Sequence, residues 1–487
     1  MKKTLLAIAI LVVVLFAVAS FRAISLFDDL QVIPAVGITA IDVDEAAAVQ
    51  HFSEALRIPT ISHDDRSHFD AQAFLDFHAF LQQSYPLIHQ QTTRTVVNNY
   101  SLVYHLKGVE PDLEPVLFMS HMDVVPVEDI TLDDWTYPAF SGTVADGVIW
   151  GRGAIDVKIG VVALMEALEL LLSENTRPER DIYFAFGHDE EVGGTDGAAM
   201  VARHFEERGV RFDYVLDEGG AVTSGLNNAV DRPVAVIGVA EKGHANITLT
   251  VDAPGGHSSA PPRQTSLGVL SRAIVKLEDN PFPATLTHIN QNFEYLGDYT
   301  SFMTRFIMGN QWLFAPLVKK MMLAQDATAA ALRTTTAATM ASASPKANIL
   351  PKRAKALVNF RILPGETIET VKQRVVELID DERVAVEIEY GNNPSPASPV
   401  DTRGFKLIAS TIRGMDDDIL VTPYLLQVGT DARHFYPLSA NVYRFLMFRA
   451  TGKTLQYVHG TDEQVPVDEY LQSIRFYYHL IRQSMAA

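Results

Sequence analysis

The chain of 487 residues contains no cysteine. This excludes disulfides, thiolate metal ligands and lipid attachment at a lipobox cysteine, and leaves His, Asp and Glu as the side chains able to hold a metal. Positive charge is in deficit: 40 Lys and Arg face 59 Asp and Glu, for a formal net charge of −19. So acidic a chain is not built to bind nucleic acid by neutralising phosphates. Histidine is sparse, with 15 in the chain, so its placement carries information. Apolar residues are not scarce. At 47% they suffice for an ordinary globular core, and the length suits two or three domains.

The N-terminus reads as a targeting segment rather than as part of the fold. Lys2 and Lys3 precede an uninterrupted apolar run from Leu5 to Ala19. Residues 1–22 are a signal peptide or a signal anchor. Ala17, Val18 and Ala19 resemble a small-residue cleavage site, whereas the continuation to Phe21 approaches the shortest length that spans a bilayer. Both readings predict an exported catalytic body, secreted or periplasmic after cleavage or membrane-anchored without it.

Downstream, the pattern predicts an α/β chain in which one domain interrupts another. Residues 40–240 alternate apolar strands with helical stretches such as 158–172, which predicts a mostly parallel sheet covered by helices. Residues 241–391 change character: amphipathic strands and helices alternate from "ANITLTVDA" to "VAVEIEY", the pattern of a small α+β open-faced sandwich. The first pattern returns in residues 392–487. Inside the smaller domain, an insert at 286–345 carries Phe302, Phe306, Trp312 and Phe314 with several methionines. Such bulk is ordinarily core; as a functional element it lines an apolar acyl channel or rests on a membrane surface, and with only two adjacent lysines and one arginine in "FMTRFIMGNQWLFAPLVKKMM" the channel is the better functional reading.

Acids and histidines recur just after strand-like runs. His121 and Asp123 follow "PVLFMS", Glu190 and Glu191 follow "DIYFAFGHD", and Asp217 follows "FDYVL"; Asp156 stands in "WGRGAIDVK" and His459 in "YVHGTDE". Singly each is weak: H-x-D occurs in surface loops, paired glutamates start helices, and Asp before glycine makes turns. Repetition is what the bland reading leaves unexplained. The carboxyl ends of strands are where an α/β protein assembles a site, and two His, two Asp and a Glu suffice for two divalent ions sharing one carboxylate.

These segments, with "GGHSSAPP", "NILP" and "GTDARHF", resemble the zinc-dependent aminoacylase/carboxypeptidase S family of co-catalytic metallopeptidases. The motifs run in family order from about Asp44 to the C-terminus. Within the family the pattern is closest to carboxypeptidase S and the secreted N-fatty-acyl-amino-acid synthase/hydrolase. The resemblance implies two Zn2+ per subunit, held by His121, Asp156, Glu191, Asp217 and His459 with Asp156 bridging; the ligand types also suit Mn2+ or Co2+. It makes Glu190 the general base, and Asp123 the partner that orients His121. His257 becomes an oxyanion stabiliser, often supplied from a partner subunit's lid. Arg361 grips a substrate carboxylate, and Asn348 is a further substrate contact. The Asp156–Val157 peptide is expected to be cis. The bland readings of His257, Arg361 and Asn348 are a turn, a snorkelling strand-edge cation and a strand start.

The implied activity is hydrolysis, and possible formation, of the amide of N-acyl amino acids with hydrophobic acyl groups. The alternative is a carboxypeptidase or dipeptidase acting on short peptides; a non-catalytic binding protein of the same fold is the third reading. The expected partners are a small-molecule substrate, a membrane through the N-terminus, and a second copy through the lid.

Overall fold

Strand Val116–His121 is buried at every position, as an uninterrupted apolar run covered on both faces must be. It is central to a ten-stranded sheet in the computed structural model, which describes residues 2–26, 33–225 and 229–487. From one edge the order is Thr93–Val97, Ser101–Leu106, Ile182–Gly187, Val116–His121, Tyr214–Asp217, Val442–Arg444 and Val234–Glu241. Val222–Thr223 and Arg449–Ala450 follow, and Leu420–Leu426 pairs with Val234–Glu241.

The fold is α/β as expected, and the sheet is mostly parallel with antiparallel pairs mixed in. Its middle pairs are parallel. One edge is a hairpin, Thr93–Val97 with Ser101–Leu106, turned by Asn98 and Asn99 at φ 45° and 72°. Asparagine tolerates that left-handed region, and so short a connection, the three residues 98–100, can only join antiparallel strands. On the other side, Val234–Glu241 runs antiparallel to both Val442–Arg444 and Val222–Thr223.

Helix Lys158–Ser173 lies almost wholly inside. Its sequence is apolar nearly all round because it is sandwiched between the sheet and the C-terminal helix Val467–Ser484. Its first residue, Lys158, is buried as well; the ammonium donates to the carbonyls of Ala55 and Ile58 at 3.0 and 2.5 Å.

After Glu241 the chain leaves this sheet for a second one. Gly243–Asp252 pairs antiparallel with Arg353–Ile362 from Gly243↔Ile362 to Asp252↔Arg353, and with Val384–Asn392 on its other side. Helices Ser266–Asp279 and Ile368–Ile379 cover one face, burying Val269, Leu270, Ala273, Val371, Val375 and Ile379 against alternate strand residues. A capping box at Thr367 and Thr370 starts the second helix. The sheet has a fourth strand, Thr335–Ser342, from the Ala/Thr-rich end of the insert. Small residues, mostly exposed, show no apolar alternation, so this strand was invisible to a pattern reading.

The rest of the insert is helical: Thr287–Leu296, Phe302–Met308, Gln311–Met322 and Asp326–Leu332. Its aromatics divide between the surface and a contact with the N-terminal helix. Phe302 and Trp312 are 44% and 58% exposed, and Phe306 packs on Phe16 of the N-terminal helix at 5.6 Å between ring centroids. That helix, Lys2–Ser25, is long and apolar enough to cross a membrane and is almost entirely exposed. It fits a signal peptide or an anchor. Met1 of the expected targeting segment lies outside the described residues.

Candidate functional site

The main sheet delivers its acids and histidines to one place. His121 ends its strand, Glu190 and Glu191 open the short helical turn after Ile182–Gly187, and Glu218 follows Tyr214–Asp217. These three strands are neighbours in parallel, so their carboxyl ends converge. Asp156 comes from the loop before helix Lys158–Ser173, across a cis Asp156–Val157 peptide. His459 comes from more than 200 residues further on, at φ 60°, a region a non-glycine residue enters at some cost and usually for a local reason.

Two ligand groups share Asp156. His121 Nε2 lies 3.3 Å from Asp156 Oδ1 and 3.3 Å from Glu218 Oε1. His459 Nε2 lies 3.0 Å from Asp156 Oδ2 and 3.2 Å from Glu191 Oε2. Each carboxylate oxygen of Asp156 thus faces a different histidine.

The residues fit a pair of cations on three counts. Ligand atoms about 2.0–2.1 Å from a tetrahedral ion stand roughly 3.4 Å apart, close to these spacings. His121 Nε2 and Glu191 Oε1 are buried without a hydrogen-bond partner, which is costly unless something else satisfies them. Negative charge is also in surplus. Burial, and then repulsion from Asp156, pushes the Glu191 carboxyl up to about 7, and the same causes push Glu218 up to about 7. His459, bonded to Asp156 and Glu191, is pushed up to about 10. Where carboxylates crowd and imidazoles hold protons so tightly, a bound cation relieves both.

The expected Asp217 is not in this cluster; Glu218 takes its place. Successive side chains on an extended strand point to opposite sides. Asp217 therefore turns away and accepts the Ala432 N–H at 2.7 Å, while Glu218 turns toward His121. Of the two adjacent acids in "VLDEGG", Glu218 is the one that stands within 3.3 Å of His121.

Asp123, wholly buried, does two jobs. Its Oδ1 lies 3.3 Å from His121 Nδ1, while the Nδ1–H donates to the Asp123 carbonyl at 3.0 Å. Its two carboxylate oxygens accept the backbone N–H groups of Glu190 and Glu191 at 3.2 and 3.1 Å. One side chain thereby fixes a histidine and both glutamates. Glu190 Oε2 sits 4.0 Å from His121 Nε2. Burial, only partly offset by His121 and aided by Asp431, raises the Glu190 carboxyl well above the usual range.

Two further residues serve the site and were not singled out from the sequence. Glu463 is buried, and its carboxylate accepts from Gly153, Ile155 and Asp156 N–H groups at 2.8, 2.7 and 3.1 Å and from Arg152 at 2.8 Å. It is the template on which the Asp156 loop is folded. Asp431 is 1% exposed, and neither carboxylate oxygen has a hydrogen-bond partner. Gly194, at φ 65°, leaves it room: a Cβ there would stand 2.1 Å from Asp431 Oδ1.

The second sheet contributes a rim. Arg361 stands opposite His244 in the strand register, and Asn359, two residues away on the same face, donates to His244 Nε2 and Asn246 Oδ1 at 2.7 and 2.8 Å. This polar face turns toward the glutamate loop, since the Tyr390 hydroxyl lies 3.1 Å from where a Cβ on Gly193 would be. Arg433 donates to the Gly193 carbonyl at 2.7 Å, shaping the same loop. His257 and Asn348 are exposed at a short two-stranded ladder in which Gly256–His257 pairs with Ile349–Leu350. His257 is bonded to Ser259 and not to the cluster. Its Nδ1 accepts the Ser259 N–H at 3.1 Å, which leaves the proton on Nε2, facing outward. His188 is structural, packed against Phe74 and bonded to Ser101.

Comparison with known proteins agrees with this architecture. Residues 117–483 match the family model described as Peptidase family M20/M25/M40. The chain is 39% identical over 440 residues to "Probable carboxypeptidase S-like 2" of Dictyostelium discoideum, covering 89% of this chain and 84% of that one. It is 34% identical over 451 residues to the human "N-fatty-acyl-amino acid synthase/hydrolase PM20D1", covering 91% and 88%. Among solved structures it resembles an M20 family metallo-carboxypeptidase from Sulfolobus solfataricus (TM-score 0.64, 17% identity, 91% and 100% covered) and human carnosine dipeptidase 1 (0.63, 15%, 91% and 96%). At these identities the two structures speak for the fold. The chain therefore belongs to peptidase family M20/M25/M40 and is an enzyme of the metallopeptidase and amidohydrolase type.

Proposed function

We propose that the enzyme hydrolyses the amide bond of N-acyl amino acids bearing hydrophobic acyl groups, and can catalyse the reverse condensation. The observation that carries this reading is the pair of ligand groups sharing Asp156 with Glu190 beside them. His121, Asp156 and Glu218 would hold one divalent ion and Asp156, Glu191 and His459 a second, zinc by family resemblance. When bound, such ions polarise a carbonyl and lower the pKa of water.

The protein side chains do the rest. Glu190, positioned by Asp123, takes a proton from the attacking water and passes it to the departing amine nitrogen. Arg361 pairs with the free carboxylate of the amino acid, with Asn348 a further contact. The Nε2–H of His257 is a donor of the kind an oxyanion needs. Its exposed position supports delivery to the site of a second copy through a lid-mediated dimer. The helix Lys2–Ser25 carries the body to, or holds it at, a membrane.

Relatives named N-fatty-acyl-amino acid synthase/hydrolase support the acyl substrate. The relative named carboxypeptidase S-like favours a second reading, cleavage of short peptides at the same centre. A substrate screen separates them: long-chain N-acyl amino acids against dipeptides, using enzyme stripped of metal and reloaded with zinc, manganese or cobalt. Higher kcat/KM for the acyl series, rising with chain length, is expected. A preference for free dipeptides would give the second reading the site.

A further inference from the structure

The insert helices Phe302–Met308 and Gln311–Met322 present apolar side chains to two different surroundings. One side is core: Val318 is buried, and Phe314, Ala315 and Met322 pack with it. The other side is open. Leu313, Leu317 and Met321 are 51%, 47% and 63% exposed, and their spacing of four places them in one stripe along the helix. Trp312 and Met303 are exposed next to them. A stripe of this size on a water-facing surface calls for an occupant.

The N-terminal helix identifies it. Its last turns are tied to the junction between these two helices. Arg22 donates to the Gly309 carbonyl at 3.2 Å, and Asn310 donates to the Ala19 carbonyl at 2.9 Å. Ala19 and Ala23 are buried there. Arg22 is the first charged residue after Lys3, so it marks the level at which a membrane-inserted helix would leave the hydrocarbon. Phe16, tilted against Phe306, lies about 9 Å deeper along the axis at 1.5 Å per residue. Phe306 is held at that depth with it. An interfacial helix buries its apolar face about 5–10 Å into the headgroup and acyl boundary, and Lys319 and Lys320 at the end of the second helix suit the phosphate level.

We propose that helices Phe302–Met308 and Gln311–Met322 are a lipid-docking face, lying in the interface of the bilayer entered by the N-terminal helix. The inference rests on that helix being inserted, and adds that the catalytic body is fixed flat on the membrane rather than hanging from a tether. Docking is by apolar insertion. The occupant is lipid.

Trp312 is one of three tryptophans, with Trp135 and Trp150 in the main body, so it is a native probe. The full chain would be reconstituted into phosphatidylcholine/phosphatidylglycerol vesicles with and without lipids brominated on the upper acyl chain. Bromolipid should quench the emission, and W312F should lose most of that quenching; iodide in the water should spare Trp312. Quenching unchanged by W312F, or Trp312 open to iodide, would overturn the docking face. Shielding from both quenchers together with a cross-linked dimer would assign a second copy and equally overturn it. Resistance to alkaline carbonate extraction reads the N-terminal helix separately. A chain that resists extraction while Trp312 stays in water refutes the docking face alone.

Discussion

Glu241 and Arg444 form an ion pair of 2.5 Å between side chains 2% and 0% exposed. Glu241 is the last residue of the main sheet before the chain departs for the second one, and Arg444 ends a strand of the segment that returns. Glu241 Oε1 also accepts the N–H and hydroxyl of Thr430 at 3.1 and 2.6 Å, so the same carboxylate anchors the loop that carries Asp431 and Arg433.

Breaking a buried pair strands the remaining charge, which typically costs about 3–5 kcal/mol. Glu241→Ala is expected to lower the unfolding free energy from denaturant titration by that amount, whereas replacing Glu241 and Arg444 together by apolar residues should cost less. A single substitution within about 0.5 kcal/mol of the parent, the range of ordinary surface changes, would show that the pair is not what holds the two segments.

Glu190→Gln should keep its metal, because Glu190 belongs to neither ligand group, and should lose on the order of 10²–10⁴ in turnover, the usual contribution of general base catalysis. Metal content by mass spectrometry alongside kcat decides this. Full occupancy with near-parental kcat would remove Glu190 from the proton path.

The neighbouring acids Asp217 and Glu218 separate by metal analysis. Glu218→Ala should weaken binding of the ion beside His121 and leave the other in place. Asp217→Asn, which can still accept the Ala432 N–H, should retain both. Loss of metal from the Asp217 variant alone would restore Asp217 as the ligand.

His78 gives a pH signature. It is buried, donates to the Tyr100 carbonyl at 2.7 Å, and is pushed down to about 4 by burial from an ordinary 6.5. The unfolded chain takes up this proton near pH 6.5 and the folded one only near 4. Stability from this group is therefore intact above 6.5 and falls as the pH drops toward 4, by at most about 3 kcal/mol. Unfolding curves of the parent and His78→Gln should diverge least at pH 5 and most at pH 7.5. A difference independent of pH would mean that the ring titrates alike in the folded and unfolded chains.

His121, Asp156, Glu190, Glu191 and His459 were legible because the sheet concentrates function at the ends of apolar runs, and those runs are visible as sequence. Glu218 was not, since choosing between adjacent acids requires the pleat phase at the end of a four-residue strand. Direction was hidden as well: Val234–Glu241 reads as a buried strand either way, and only its partners make it antiparallel to Val442–Arg444. The Thr335–Ser342 strand carries no apolar alternation to read. For the insert, the sequence displayed bulk without its orientation, and one face turned out to meet the N-terminal helix.

The Asp156 loop is held in shape by Glu463, some 300 residues later in the chain. A ribosome that has finished the His121, Asp156, Glu190 and Glu218 segments has therefore not made a working centre, since both the template of the Asp156 loop and His459 are still to come. Catalytic competence waits on the segment that carries His459 and Glu463. That order keeps the hydrolase inert while its earlier catalytic segments are being made.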